Sequence, residues 1–303
     1  MSTTIVVAGA TGNLGARIAR GLVKRGANVR AITRASASAD KLRELGELGV
    51  EALAVDMQDV AEVARVCTGA ACVVSALAGL GDVIVDLQSV LLDASVKAGV
   101  PRFIPSDFAS DFTKQPGGSN RNFDLRRAFH ERLDPAPIRP TSILNGAFAD
   151  MLFTRMPMVD LKNKRVTYWE NADQRMDFTT TQDVGDFAAE AALDPTTPTV
   201  LRIAGDSTSA RELMALASEM TGQPFDLVCA GSLAELGAMI DRARAEDPDP
   251  TNLYPKWQTL QYARGMFSGL GKLEPLDNDR YPGRTWTTTR DLLAAHLRAS
   301  AVS

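Results

Sequence analysis

The chain has 303 residues, a hydrophobic content of 45% and a formal net charge of −4 at pH 7. This length allows one large or two small domains, and the apolar fraction is ample for a buried core. The small net charge gives no reason to expect a nucleic acid or a membrane surface as a partner, and no apolar run approaches the ~20 residues of a membrane span.

The cysteines and the first residues of the chain indicate the cellular compartment to expect. Cys67, Cys72 and Cys229 are an odd set without metal-ligand spacing, so free thiols in a reducing compartment are the simplest interpretation and no metal site is expected. No N-terminal stretch resembles a signal peptide, because the first predicted strand begins almost at once. We therefore expect a cytoplasmic protein.

The first predicted elements are a strand, a glycine-rich turn and a helix. Ile5–Ala8 is a short apolar strand, and Ala16–Lys24 has apolar residues at helical spacing. Between them, Gly9 permits a tight turn, Gly12 lets the backbone approach a pyrophosphate, and Gly15 lets the helix pack close to the strand. The helix N-terminus favours phosphate. This order predicts dinucleotide binding, although the spacing Gly-x-x-Gly-x-x-Gly differs from the standard fingerprint. The alternative is a glycine turn that binds nothing.

The end of the second predicted strand, Val29–Thr33, bears on the choice of cofactor. It is followed by Arg34, where an acidic residue would accept hydrogen bonds from a ribose 2′-hydroxyl and repel a 2′-phosphate. An arginine instead offers a fork of donors to that phosphate. The sequence therefore predicts NADP(H) in preference to NAD(H), with a solvated surface arginine as the alternative.

Strands and helices then alternate along the first half of the chain. Further strands are predicted at Glu51–Val55, Ala71–Ser75, Arg102–Pro105 and Ile138–Leu144, and helices at Asp40–Leu48, Asp59–Val66, Val83–Lys97 and Asn120–Leu133. This alternation is typical of a doubly wound parallel sheet, whose ligands bind at the carboxyl ends of the strands. Asp56 follows a strand and either faces that crevice or makes a turn.

The second half contains shorter strands and more helices. Strands are predicted at Val166–Trp169, Met176–Thr180 and Leu201–Ala204, the last of these as the final strand of the sheet, and helices at Thr181–Leu193, Arg211–Thr221 and Leu233–Glu246. The polar segment Leu276–Pro282 is expected to cover the substrate cleft. The predicted fold is thus α/β, a Rossmann-type doubly wound parallel sheet with a smaller, mostly C-terminal α/β region.

Four motifs together resemble one family. They are Gly-Ala-Thr-Gly-Asn-Leu-Gly at residues 9–15, Val55-Asp56-Met57, Pro105-Ser106-Asp107-Phe108 and Asp183-Val184-Gly185. The combination resembles the NmrA-like, isoflavone-reductase-like branch of the atypical short-chain dehydrogenases/reductases, most strongly over residues 4–205. The resemblance implies NADP(H) binding. Some members reduce aromatic substrates, including phenylpropanoid ethers and quinones, whereas others sense the cofactor and bind partner proteins.

The resemblance also implies a division of the chain. We expect residues 1–145 and about 176–205 to form the nucleotide-binding domain, and residues 146–175 and 206–303 to form a discontinuous substrate-binding region. Residues expected to contact the cofactor are Gly9, Thr11, Gly12, Asn13, Leu14, Gly15, Arg34, Asp56, Met57, Ser75, Ala76, Arg126 and Asn145.

The chain departs from its superfamily at the catalytic position. In the wider superfamily a Tyr-x-x-x-Lys motif supplies the acid or base, but no tyrosine here has a lysine four residues later. The reductase branch keeps a lysine in a stretch resembling Phe-x-x-Lys, and here that stretch is Phe123-Asp124-Leu125-Arg126. An arginine is a poor proton donor, but it can bind the nicotinamide ribose or stabilise a developing oxyanion. The alternative is a solvated surface charge.

Two further residues are candidates for catalysis. His130 lies one helical turn beyond Arg126 and could donate a proton near neutral pH, although a lone histidine on a helix is more often structural. Asp107 either orients Arg126 or caps a loop. The predicted catalytic residues are therefore Arg126, His130 and Asp107.

Apolar and aromatic residues later in the chain suggest a pliable pocket, with ordinary packing as the alternative for each. The predicted substrate contacts are Phe108, Phe148, Met151, Tyr254 and Trp257. Together these features predict an NADPH-dependent reductase of a small apolar or aromatic carbonyl, quinone or enone, active as a monomer or homodimer. The alternative is a non-catalytic NADP(H) sensor that binds a protein partner.

Overall fold

A computed structural model describes residues 2–154, 156 and 158–302. The chain forms two compact units, each built from three segments. The first comprises Met1–Phe108, Asn122–Ile143 and Thr181–Leu201, and the second comprises Ala109–Arg121, Leu144–Thr180 and Arg202–Ser303. The assignment of one region to nucleotide and another to substrate stays a prediction.

The first unit contains a six-stranded sheet in which every neighbouring pair of strands is parallel. Its strands are β1 (Thr4–Ala8), β2 (Asn28–Thr33), β3 (Glu51–Ala54), β4 (Cys72–Ser75), β5 (Arg102–Ile104) and β6 (Arg139–Pro140). Their order is β3-β2-β1-β4-β5-β6. This is the doubly wound Rossmann order, so the predicted fold class is confirmed. The strand order reverses between β1 and β4, which places a ligand crevice at their carboxyl ends.

Helices lie between these strands along the chain, and one further helix of the unit follows much later. They are α1 (Asn13–Lys24), α2 (Ala39–Glu47), α3 (Val60–Cys67), α4 (Gln88–Lys97), α5 (Arg121–Leu133) and α6 (Thr181–Leu193). The predicted helix Val83–Lys97 differs from the structure in its first part, because Asp82–Leu87 is a π-helical turn. The buried amide of Gln88 donates to the Ile84 carbonyl and accepts from the Ser106 N–H. Apolar spacing cannot distinguish this wider turn from an α-helix.

The predicted strand Ile138–Leu144 is divided in two. β6 ends at Pro140, which has no N–H to continue the ladder, and β7 (Ser142–Leu144) follows Thr141. β7 pairs with β12 (Val200–Arg202) in a separate two-stranded sheet. The prediction that Leu201–Ala204 is the last strand of the main sheet was therefore wrong.

The second unit has two three-stranded sheets, ordered β14-β10-β9 and β13-β11-β8. Its strands are β8 (Ala147–Phe148), β9 (Val159–Asp160), β10 (Arg165–Tyr168), β11 (Met176–Thr179), β13 (Asp206–Thr208) and β14 (Asp226–Cys229), and its helices are α7 (Ala210–Thr221), α8 (Leu233–Glu246), α9 (Lys256–Phe267) and α10 (Thr289–Val302). Capping boxes begin α7 and α8. Leu152, Val166, Phe178 and Leu213 form the centre of an apolar core.

The polar segment Leu276–Pro282 lies along residues 202–204 of the second unit. The Asp277 N–H donates to the Arg202 carbonyl, and its carboxylate accepts from the Arg202 N–H. The Asn278 amide exchanges two hydrogen bonds with the backbone of Ala204. These bonds fix the segment to its own unit, and its expected role as a cleft cover stays a prediction.

Helices α1 and α6 pack at unusually short range. A Cβ on Gly185 would lie 2.6 Å from the Cβ of Arg17, so only glycine fits at this crossing. Beside it, Arg25 pairs with Glu190 at 2.8 Å and with Asp186 at 3.6 Å. The glycine of the Asp183-Val184-Gly185 motif therefore has a packing role.

In the described part of the chain, no helix has both the length and the apolar character needed to cross a membrane.

Replacement of Gly185 by alanine tests this packing. Gly185→Ala should lower the free energy of unfolding by about 1–2 kcal/mol, because overpacking outweighs the gain in helix propensity. Gly46→Ala is the matched control, since Gly46 is also helical and its Cβ would meet nothing within 4 Å. The control should gain up to about 1 kcal/mol in urea denaturation. Equal stabilisation by both changes would contradict the packing argument.

Candidate functional site

The glycine turn after β1 is held by close backbone contacts. Gly9 has a φ of +85°, and a Cβ there would lie 2.5 Å from the Ala76 carbonyl oxygen. A Cβ on Gly15 would lie 2.1 Å from the Gly9 carbonyl oxygen. Both glycines are therefore required by the protein's own packing, and they bring α1 directly against the end of β1.

Gly12 is less closely enclosed than Gly9 and Gly15. A Cβ on Gly12 would meet only the Gly9 carbonyl oxygen, at 3.2 Å. Gly12 is also the N-cap of α1, where no side chain caps the helix and no acidic residue lies in the first turn. The uncapped helix N–H groups and the positive end of the helix dipole fit a phosphate. The residues present thus suit the pyrophosphate of a dinucleotide.

Arg34 follows directly after β2 and its side chain is exposed. Within the described residues its guanidinium makes no hydrogen bond or ion pair, so its donors are available to a ligand. Thr11, Arg20 and Lys41 line a neighbouring cavity of about 210 Å³ beside the glycine turn. Lys41 pairs with Glu44 at 3.0 Å. Arg20 and Lys41 were not among the predicted residues. The position of a cation on a helix does not indicate which loop will lie next to it in the fold.

The other predicted cofactor residues of the first unit lie in varied surroundings. Ser75 is fully buried at the end of β4, and its hydroxyl has no partner among the described residues. Met57 is buried in the apolar core. The Asp56 carboxylate accepts the Gln58 N–H at 2.9 Å, which is the turn geometry named as its alternative. Asn13 bonds Arg17 through its side chain, and Leu14 is half-buried. Cofactor contacts of these residues stay predictions.

Arg126 lies half-buried on α5. Its Nη1 donates to the Asn122 carbonyl at 2.8 Å. Its Nε is buried and has no hydrogen-bond partner among the described residues. It makes no ion pair with Asp107, so the expectation that Asp107 orients Arg126 is not met. The guanidinium therefore retains donors that an anionic ligand could use.

Asp107 instead forms a buried cluster with His130. The Asp107 carboxylate is fully buried, and its Oδ2 lies 2.7 Å from His130 Nε2 and accepts the Ser142 hydroxyl at 2.7 Å. The other imidazole nitrogen, Nδ1, lies 2.9 Å from Asp134. Asp107 Oδ1 is buried without a partner among the described residues. The imidazole thus lies between two carboxylates.

This environment sets the charge of His130. Burial lowers the pKa of the imidazole, but hydrogen bonds and the charges of Asp107 and Asp134 outweigh burial and raise the pKa to about 9. His130 is therefore an imidazolium near neutral pH, with each ring N–H directed at a carboxylate. The geometry favours the structural alternative for His130, since both ring nitrogens lie within hydrogen-bonding distance of a carboxylate.

The remaining predicted residues are described by unit. Phe108, in the first unit, is buried. In the second unit Asn145 is fully buried and its Oδ1 lacks a partner among the described residues, whereas Phe148 and Met151 are half-buried. Tyr254 is 87% exposed and no described group packs over its ring.

Trp257 has the contacts of a packed residue. It is 4% exposed, and its indole N–H donates to the Asp247 carbonyl at 3.0 Å. The guanidinium groups of Arg121 and Arg244 lie 4.8 and 5.2 Å from the ring centroid. These contacts favour packing over substrate binding, and the predicted substrate contact stays untested.

The paired imidazolium predicts a pH-dependent stability. A pKa raised from 6.5 to about 9 on folding stabilises the protein below pH 6.5, and this stabilisation is lost as the pH rises through about 9. The destabilisation caused by His130→Gln should therefore be larger at about pH 6 than at about pH 10, by about 3 kcal/mol. Urea denaturation of both proteins at the two pH values measures this difference.

His296→Gln gives the baseline for that experiment. His296 packs against Phe153 and makes no ion pair with a described residue. If the loss of unfolding free energy caused by His130→Gln stays the same across the pH range, or grows at high pH, His130 is a neutral imidazole in the folded protein.

The chain is similar to reductases along almost its whole length. The isoflavone reductase homolog IRL of Zea mays is 26% identical over 315 residues, which cover 97% of this chain and 98% of the maize protein. The structure of AtPrR2 with NADP+ and (+)pinoresinol is 19% identical with a TM-score of 0.81 and covers 97% of this chain and 99% of that chain.

A third relative is the NADPH-dependent quinone oxidoreductase QOR2 of Escherichia coli, solved in complex with NADPH. It is 18% identical with a TM-score of 0.76 and covers 97% of this chain and 99% of that chain. At these identities the two solved structures show a shared fold. A family model described as the NmrA-like family matches residues 1–261. Because this match spans most of the sequence, the chain belongs to the NmrA-like family.

Proposed function

We propose that the protein is an NADPH-dependent reductase of a small apolar, aromatic carbonyl, quinone or enone substrate. The observation that carries the proposal is the glycine turn, which ends at Gly12 in a helix N-terminus that no side chain caps. That arrangement suits a pyrophosphate. Family membership adds support, since the maize relative is named a reductase homolog.

The preference for NADP(H) rests on Arg34. Its exposed guanidinium has no protein partner among the described residues and follows the strand that precedes the ribose position of this fold. A bidentate guanidinium–phosphate pair would favour the 2′-phosphate over a 2′-hydroxyl. The two solved neighbours contain NADP+ or NADPH, which is consistent with this choice.

Arg126 is the residue we propose for charge stabilisation. When bound, the cofactor would supply a hydride from nicotinamide C4. Negative charge then develops on the acceptor oxygen, and the guanidinium of Arg126 would stabilise it through donors, such as Nε, that have no partner among the described residues. An arginine does not give up its proton, and both ring nitrogens of His130 are held by carboxylates. Solvent water is therefore the proposed proton source.

This proton source favours quinones among the candidate substrates. A reduced quinone is stable as an anion and can take its proton from solvent, whereas a ketone needs a proton donor close to its oxygen. The quinone reductase and the pinoresinol complex among the neighbours fit an apolar aromatic ligand. Phe148 and Met151 are half-buried in the second unit and stay predicted substrate contacts.

One observation favours the second candidate, a non-catalytic NADP(H) sensor. The chain lacks a Tyr-x-x-x-Lys motif and carries Arg126 where the resembling reductases have lysine. A sensor would keep the cofactor contacts and lose turnover. The test of Arg126 below separates the two functions.

The cofactor preference is tested at Arg34. Arg34→Ala should weaken NADPH by about 10- to 150-fold, the loss of one charged hydrogen-bonded pair, and change NADH much less. Isothermal titration calorimetry measures both affinities. Arg43→Ala is the matched control, because Arg43 is an exposed cation of the next helix that pairs with Asp40 at 2.8 Å. An equal loss of affinity for NADPH and NADH would show that Arg34 does not bind the 2′-phosphate.

The reductase proposal is tested at Arg126. Arg126→Met keeps most of the side-chain length but removes the guanidinium, so the hydride-transfer rate to a quinone should fall by roughly 10²- to 10³-fold. NADPH affinity should change much less. Arg127→Met is the control, since Arg127 is on the same helix and pairs with Asp124 at 2.6 Å.

Stopped-flow measurement of NADPH oxidation across quinones and aromatic ketones decides the outcome. Unchanged turnover in Arg126→Met would show that Arg126 does not stabilise charge on the acceptor. If wild type and both variants bind NADPH tightly and reduce none of the acceptors, the sensor function is favoured and the reductase proposal fails.

A further inference from the structure

The second unit contains a cationic cavity of about 400 Å³ that the proposed reductase chemistry does not use. Its walls come from α8, α9 and the loop before α5. Small residues of α8 keep one wall open, and Ser119, Asp241, Arg244, Gln261 and Arg264 supply its polar groups. A cavity of this volume is large enough for a small metabolite.

Two exposed arginines line the cavity. The guanidinium of Arg264 lies across Gly237, where a Cβ would be 3.7 Å from its Cζ. Arg244 lies over the ring of the buried Trp257 at 5.2 Å. The ring of Trp257 therefore orients Arg244 without a charged partner among the described residues, which lowers the entropy that this side chain loses when a ligand binds.

A third cation raises the local positive charge. Arg121 lies 4.8 Å from the centroid of the same tryptophan ring and donates to the carbonyls of Asn252 and Leu253. Burial lowers the pKa of Arg121, Tyr262 raises it, and the neighbouring charge of Arg244 lowers it. Arg121 and Arg244 are thus close enough to repel one another, and an anion bound to Arg244 would offset part of that repulsion.

The protein does not supply this anion itself. Asp241 lines the same cavity, yet within the described residues neither Arg244 nor Arg264 makes an ion pair with a carboxylate. Elsewhere exposed arginines do pair, as Arg211 does with Asp173 at 2.7 Å and Arg290 with Glu219 at 2.8 Å. The chain has 37 acidic and 33 basic residues, so carboxylates are not scarce.

We propose that this cavity binds a small oxyanion, a phosphate or carboxylate group, between the guanidinium groups of Arg244 and Arg264. Each guanidinium can offer two parallel N–H donors to such a group. Ser119 and Gln261 form the polar wall beside it. The site is independent of the glycine turn and needs no dinucleotide.

The test uses the full-length protein labelled with ¹⁵N. Sodium phosphate and sodium succinate are titrated separately at constant ionic strength, with sodium chloride as the balancing salt. Saturable shifts are expected at the amides of Ser119 and Arg264 and at the indole N–H of Trp257. Phosphate and succinate are compared by their dissociation constants, and the tighter probe identifies which oxyanion the site prefers.

Substitutions of single arginines test whether the oxyanion binds in this cavity. Arg264→Gln should weaken binding at least about tenfold, and Arg264→Lys should weaken it less, because charge remains while the fork is lost. Arg242→Gln is the matched control, since Arg242 is exposed on α8 but does not line the cavity.

Three outcomes would overturn the proposal. The first is the absence of saturable shifts with both probes. The second is a set of shifts confined to Gly12 and its neighbours in the first unit. The third is equal weakening by Arg242→Gln and Arg264→Gln, which would show general screening of charge.

Discussion

The first unit of this protein depends on one constraint, the close approach of helix α1 to its neighbours at positions where only glycine fits. On one side, Gly15 stands where a Cβ would lie 2.1 Å from the Gly9 carbonyl oxygen. On the other side, Gly185 lets α6 pack against Arg17 of α1. Backbone packed against backbone leaves little room for adjustment, so α1 has a fixed position. The uncapped end of that helix is consequently held at the carboxyl edge of the sheet, where this fold binds its ligands.

Electrostatics in the same unit follow a second rule, that a buried charge is kept only with a partner. Asp107 is fully buried, and its charge is balanced by His130 and by the Ser142 hydroxyl. Arg126, one helical turn before His130 on α5, makes no ion pair among the described residues, and its buried Nε has no hydrogen-bond partner there. The two neighbours on α5 thus have opposite roles. One stabilises the fold, and the other is available to a ligand.

Much of the fold could be predicted from the sequence, because local signals suffice for most of it. β1 and α6 lie within one residue of their predicted bounds, since apolar runs, glycines and capping residues act over a few positions. The division of the strand at Pro140 and the pairing of β7 with β12 were missed, because they depend on which strand lies alongside. The π-helical turn at Asp82–Leu87 was missed because its apolar spacing resembles that of an α-helix.

The site was predicted less completely, for the same reason. The glycine turn is local, so the packing roles of Gly9 and Gly15 could be predicted, whereas the pyrophosphate contact of Gly12 stays a prediction. The partners of Asp107 lie 23 and 35 residues away in the chain, so only the folded sheet brings them together. An aromatic residue such as Trp257 carries no sign in the sequence of whether its ring will face a ligand or two arginines.

The pairing of His130 with two carboxylates also makes folding a proton-binding reaction. Between about pH 6.5 and about pH 9 the unfolded chain has released the imidazole proton, whereas the folded chain retains it. Folding in that interval therefore takes up close to one proton from the solution at this residue. The measured enthalpy of unfolding accordingly includes the heat with which the buffer accepts that proton, so it depends on the buffer chosen even when the pH is the same.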